Sequence, residues 1–128
     1  MYLLDTNVCI DFLLGRSQPL RDRIGQHFGA LAVSAITVAE LRVGSRTSSD
    51  PRGDERRVDD FVALVGLVPF DDKAANAYGR VVREVGIRRK SFDRLIGAHA
   101  LSLGLVLVTN NEADFADIPG LRVENWTI

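Results

Sequence analysis

Leu105-Val106-Leu107-Val108 is an unbroken apolar run held between Gly104 and Thr109. A strand of this kind has no polar face to turn toward water. It must be covered on both sides, which is the situation of a parallel sheet packed between helices. Shorter apolar segments that read as strands recur at Tyr2 to Leu4, Leu31 to Ile36, Leu67 to Phe70 and Leu121 to Trp126. The segments between them repeat their apolar residues at helical spacing. Strands alternating with helices predict an α/β fold, a three-layer α/β/α sandwich with a mostly parallel central sheet. No internal repeat is present, and residues 1–128 read as a single domain.

The helix signals are local. Asn7 can cap a helix through Val8, Ile10, Phe12, Leu13 and Leu14, closed by Gly15. Pro19 suits a first helical position, ahead of the stripe Leu20, Ile24 and Phe28. Thr37 can cap a helix with Val38, Ala39 and Leu41. The stretch Arg46 to Asp54, RTSSDPRGD, reads as a mobile loop, followed by a helical face at Val58, Phe61, Val62 and Val65. Asp71 or Asp72 begins a helix with Ala74, Ala77, Tyr78, Val81, Val82 and Val85 on one face. Ser91 can cap another that carries Leu95, Ile96, His99 and Leu103 and stops at Gly104.

A hydrophobic share of 46% supports a real core. Sixteen Lys and Arg against seventeen Asp and Glu leave a net charge of −1, which argues against a generic polyanion binder. Only Lys73 and Lys90 among the basic residues are lysine; arginine is the better bidentate phosphate ligand, but a GC-rich genome produces the same bias. Cys9 is the only cysteine, so no intrachain disulfide can form, and we expect it to be a small core residue. No apolar stretch reaches membrane-spanning length, and the N-terminus lacks a signal-peptide layout; a cytoplasmic location is the expectation.

Four acids fall near expected strand ends. Asp5 follows the first strand, Glu40 lies one turn into the helix after the second, Asp93 begins the helix before the apolar run, and Asp114 follows that run. In open parallel sheets the carboxyl ends of the strands form the ligand crevice. Carboxylates gathered there repel one another, and a hard divalent cation such as Mg²⁺ or Mn²⁺ relieves the repulsion. Such an ion can activate water and stabilise a phosphoryl transition state, so phosphodiester hydrolysis is the natural chemistry. Each acid also has a local explanation. Thr37-Val38-Ala39-Glu40 matches a capping box, and Asp93 and Asp114 would favour a helix dipole. Asp71 and Asp72 read as caps and Asp11 as solvated.

The segments LLDTNVCID, SAITVAEL, DRLIGAHAL and VTNNEADF, followed by PGLRVENW, resemble the PIN-domain family, and within it the VapC-type ribonuclease toxins of type II toxin–antitoxin systems. The resemblance runs from about Tyr2 to Trp126. It implies a Mg²⁺-dependent endoribonuclease, with tRNA a plausible substrate. It places the family's four acids on Asp5, Glu40, Asp93 and Asp114, with Asp5 and Asp93 as direct metal ligands and Mn²⁺ an alternative to Mg²⁺. Asn7 and Thr109 would orient carboxylates or water. A homodimer and a small VapB-like antitoxin are the implied partners. The chain departs from the family pattern at Arg88-Arg89-Lys90-Ser91-Phe92, where relatives often carry Ile-Gly, and at Gly97, where alanine is common.

From Arg80 to Arg94 six basic residues face only Glu84 and Asp93. A basic rim beside an acidic metal pocket suits a nuclease, with Arg88, Arg89, Lys90 and Arg94 as expected RNA contacts and Arg52, Arg56 and Arg57 as a second patch. A solvated helix face with Arg80 and Glu84 paired is the alternative. His99 reads as a packed helix residue, His27 as a surface residue and Trp126 as packing at the sheet edge. A receiver-like phosphoacceptor module is the competing enzyme-free reading. It lacks support, because the first strand ends in a single acid and no lysine follows Lys90. A catalytically inactive PIN-like binding module is the third reading, disfavoured because all four acidic positions are filled.

Overall fold

A computed structural model describes residues 1–88 and 91–128. Five strands, β1 (Tyr2–Leu4), β2 (Leu31–Ser34), β3 (Leu67–Val68), β4 (Val106–Val108) and β5 (Val123–Glu124), form one sheet in the order β3-β2-β1-β4-β5. Every neighbouring pair is parallel. Six helices connect them: α1 (Thr6–Leu13), α2 (Gln18–Gln26), α3 (Ala35–Arg46), α4 (Pro51–Val65), α5 (Asp72–Val85) and α6 (Asp93–Leu103).

Strand alternation divides the core in two. Leu4, Val33 and Val108 point to one face, where Val8, Leu20, Ile24, Leu41, Val58 and Phe61 from α1 to α4 cover them. Leu3 and Leu107 point to the other, against Ala77 and Val81 of α5 and Ile96 and Ala100 of α6. This is the α/β/α sandwich that the apolar run at residues 105–108 predicts. Full burial of each such Leu or Val contributes roughly 1.5–3 kcal/mol. The strand order reverses between β1 and β4, and that switch point places the crevice at their carboxyl ends.

Several local expectations are corrected. Asp5, not Asn7, caps α1, its Oδ1 accepting the Thr6 N–H at 2.6 Å. Ser34, not Thr37, caps α3, accepting the Ile36 N–H at 3.1 Å. In both places the helix starts directly from the strand end, so the cap falls on the last extended residue. The stretch RTSSDPRGD is a loop only at residues 47–50: α3 runs to Arg46, and Asp50 caps α4 by accepting the Gly53 N–H at 3.2 Å. An Asp-Pro pair at a helix start is a stronger signal than the loop-like composition around it. His27 is not a free surface residue. Its ring stacks on Trp126 at 5.0 Å and meets Tyr2 at 4.8 Å. Asp71 caps α5 as expected, Cys9 is buried, and Gly104 closes α6 in the left-handed conformation that glycine tolerates.

Candidate active site

β1 delivers Asp5 to the switch point, and the neighbouring strand end fixes it there. Asp5 is 2% exposed. Its Oδ2 accepts the Thr109 hydroxyl at 2.8 Å across the β1–β4 boundary. With Oδ1 on the Thr6 amide, both oxygens are oriented. Burial raises its pKa to about 6; the bonds from Thr109 and Thr6 oppose the rise, while repulsion from Asp93 and Glu40 adds to it.

Glu40 reaches the crevice from the second turn of α3. Its Oε1 accepts the Thr6 hydroxyl at 2.7 Å, and that hydroxyl lies 3.2 Å from the Thr37 hydroxyl. The single Thr6 proton goes to the shorter, charged acceptor, which leaves Thr37 as donor in the second contact. With Ser34 as the cap, Thr37 sits inside the first turn and no capping box forms. Partial burial raises the Glu40 pKa, Thr6 opposes this, and Asp93 repels.

Asp93 opens α6, its N–H donating to Ser91 Oγ at 3.1 Å. Burial raises its pKa first, Ser91 opposes that, Asp114 raises it further and Arg88 lowers it. Asp114 ends a short 3₁₀ turn (Glu112–Asp114). Asn111 Nδ2 donates to its Oδ2 at 2.6 Å, and Arg88 Nη1 stands 3.7 Å from Oδ1. The fold therefore brings Asp5, Glu40, Asp93 and Asp114 to one end of the sheet, the first three with raised pKa values.

Asn7 is exposed. Thr6, which the sequence reading passed over, makes the contact to Glu40. Helical geometry held the clue, because a helix starting straight after Asp5 puts Thr6 in its first turn. Asp11 is partly covered and not free: Asn110 Nδ2 donates to its Oδ2 at 2.6 Å. Arg94 is a clear correction. It is 3% exposed, and its guanidinium donates to both oxygens of Asp117, at 2.6 and 2.9 Å, and to the Val85 carbonyl at 3.4 Å. It anchors the segment after Asp114 and cannot contact RNA from there. Its i+1 position beside a half-buried Asp93 turns it to the helix face that packs inward. Arg88 remains at the rim, bridging Asp114 and Asp117. Arg89 and Lys90 lie outside the described residues. In the second expected patch, Arg57 pairs with Asp54. Among the described residues no Arg80–Glu84 ion pair forms.

The donor set is oxygen-only and acidic, the chemistry of a hard divalent cation. Among the described residues no three His, Cys, Asp or Glu side chains are close enough to cage an ion directly. No helix among the described residues is long and apolar enough to cross a membrane.

A parallel sheet in the order β3-β2-β1-β4-β5, with carboxylates gathered over its switch point, defines an α/β protein with an acidic crevice. The PIN domain model matches residues 2–121, and the chain belongs to that family. It is 34% identical over 128 residues to a Salmonella typhimurium protein named tRNA(fMet)-specific endonuclease VapC, covering 98% of this chain and 97% of that one. It is 36% identical over 128 residues to ribonuclease VapC2 of Haemophilus influenzae, with the same coverage. Among solved structures, the DNA-bound VapBC of Salmonella typhimurium matches with a TM-score of 0.90 at 33% identity, over 98% of this chain and 97% of that one. VapBC2 of Rickettsia felis, bound to a promoter DNA fragment, matches with a TM-score of 0.87 at 28% identity, over 98% of each chain.

Proposed function

We propose that this chain is the toxin of a type II toxin–antitoxin pair, an endoribonuclease that hydrolyses RNA phosphodiester bonds with the help of Mg²⁺ or Mn²⁺. The observation that carries the reading is the gathering of Asp5, Glu40 and Asp93 at the switch point of a chain similar over its full length to VapC ribonucleases. Transfer RNA is the substrate class we place first, because two of the relatives are named for it. A VapB-like antitoxin is the proposed partner, since the matching structures are VapBC complexes, and a homodimer is the proposed assembly.

In this reading Asp5 and Asp93 hold the ion, and Glu40 and Asp114 complete its surroundings directly or through water. When bound, the ion supplies activation of water and neutralisation of charge on the phosphoryl group. The chain's own work is orientation. Thr109 and the Thr6 amide fix both oxygens of Asp5, the Thr6 hydroxyl aims Glu40, and Asn111 steadies Asp114. Arg88, the described basic residue at the rim beside Asp114, is the group we propose to hold an RNA phosphate.

The test is cleavage of purified tRNA by the purified chain in Mg²⁺, comparing wild type with Asp93→Asn. Loss of a group that stabilises transition-state charge costs about 10²–10³ in rate, so the variant should fall by that factor while keeping its circular dichroism spectrum. Undiminished cleavage by the variant would remove Asp93 from the site. A wild-type chain that cleaves no RNA would remove the reading.

A further inference from the structure

His99 is 1% exposed and Ser34 is fully buried, yet they meet at 2.8 Å, Nδ1 to Oγ, across 65 residues of sequence. Ser34 closes β2 and caps α3, the helix that carries Glu40. His99 lies on α6, the helix that Asp93 opens. Ser34 Oγ already accepts the Ile36 N–H; we assign its own proton to the bond with His99 Nδ1, which puts the ring proton on Nε2. Nε2 makes no hydrogen bond of good geometry among the described residues. The Phe70 ring meets the imidazole edge-on at 5.2 Å. Burial lowers the His99 pKa, in keeping with a neutral ring.

A buried imidazole with an imperfectly satisfied Nε2 is a costly way to fill a core; an apolar side chain would cost less. What the imidazole adds is direction, since its Nδ1 accepts along one line and so ties the start of α3 to the middle of α6. The apolar faces of α3 and α6 pack mainly on opposite sides of the sheet, so this bond is a direct side-chain tie between them. No solvent reaches the Ser34–His99 pair, so it cannot serve as a nucleophile and base.

We propose that His99 is a positioning residue for the acidic crevice: by accepting the Ser34 hydroxyl it sets the offset between α3 and α6, and with it the gap between Glu40 and Asp93. The role deepens the nuclease reading and rests on it for the meaning of that gap. Misplacement of reacting groups by about 1 Å costs about 100-fold in rate, and loss of an outer-shell partner weakens metal binding about 10–100-fold.

The discriminating variants are His99→Asn and His99→Gln, because the asparagine oxygen replaces Nδ1 and the glutamine amide replaces Nε2. His99→Leu removes both. The readouts are Mn²⁺ affinity of the full chain by calorimetry, and kcat and KM on tRNA. His99→Asn should keep Mn²⁺ affinity and kcat within about threefold of wild type. His99→Gln and His99→Leu should weaken Mn²⁺ binding about 10–100-fold and lower kcat with KM little changed. Equal behaviour of the Asn and Gln variants, or wild-type Mn²⁺ affinity in His99→Leu, overturns the proposal. Should His99→Leu fail to fold, the Asn–Gln comparison decides alone. A wild-type chain that binds Mn²⁺ but cleaves no RNA leaves that comparison standing and overturns the nuclease reading; one that takes up no Mn²⁺ overturns both.

Discussion

Asp5 is a carboxylate placed at the expense of stability. Its carboxyl is buried at a strand end, and its pKa stands at about 6 against an ordinary value of ~3.9. The folded state therefore holds the proton more tightly than the unfolded state. The stability this provides is complete below about pH 4 and is lost as pH rises through about 6, a change of about 3 kcal/mol. Asparagine resembles the protonated acid and keeps an oxygen for the Thr6 amide. In metal-free buffer Asp5→Asn should thus be more stable than wild type by up to about 3 kcal/mol at pH 7.5 and equal to it near pH 3.5. Urea unfolding at the two pH values measures this, and an equal difference at both would show that ionisation is not the cause. Asp5 was legible in the sequence because an acid directly after an apolar strand falls where the carboxyl ends of a parallel sheet form a crevice, although it also caps α1. Arg94 was not legible as an anchor. The basic run Arg88-Arg89-Lys90 lies a few residues upstream and suggests a common rim, and only the fold brings Asp117, 23 residues away, onto its guanidinium.

At the scale of elements, apolar patterning identified the five strands and six α-helices, while side-chain capping decided where α1 to α5 start. Ser34 and Asp5 end strands and begin helices in the same residue, so a reading that looks for a linker between the two elements puts the cap two or three residues late. That error also supported a capping-box role for Glu40, which the contact from Thr6 replaces. Gly97 on α6 is a second case where packing outranks propensity. An added Cβ there would lie 2.7 Å from Ile118 Cδ1 and 3.4 Å from Phe115 Cδ1 and Leu121 Cδ2. Gly97→Ala gains about 1 kcal/mol of helix propensity and loses about 1–3 kcal/mol to overpacking. A net loss of about 1 kcal/mol is expected, and Ile118→Val, which deletes the clashing carbon, should recover it. In a double-mutant cycle by urea unfolding the two changes should couple by about 1 kcal/mol or more. Strict additivity would mean that the helix moves away from Ile118 instead.

For the whole molecule, a net charge of −1 was a poor guide, because it averages an acidic crevice with arginines engaged elsewhere. The crevice is the informative part. Asp5, Glu40 and Asp93 all have raised pKa values, burial being the first cause for each and mutual repulsion adding to it. Without a cation, the fold holds these charges at a loss that grows as pH rises. On the proposed function, a divalent ion would compete with protons for the same oxygens. Binding at 100 times the dissociation constant stabilises the folded state by about 2.7 kcal/mol, worth roughly 10 °C in Tm for a chain of this size. Mg²⁺ or Mn²⁺ should therefore raise Tm by about that much at pH 7.5, and by progressively less below pH 6, where Asp5 keeps its proton. Differential scanning calorimetry across that range, with Asp93→Asn as the control, tests the linkage. An equal rise at pH 5 and pH 7.5, or the same rise in Asp93→Asn, would place the ion outside the crevice and leave the raised pKa values of its three acids without a functional explanation.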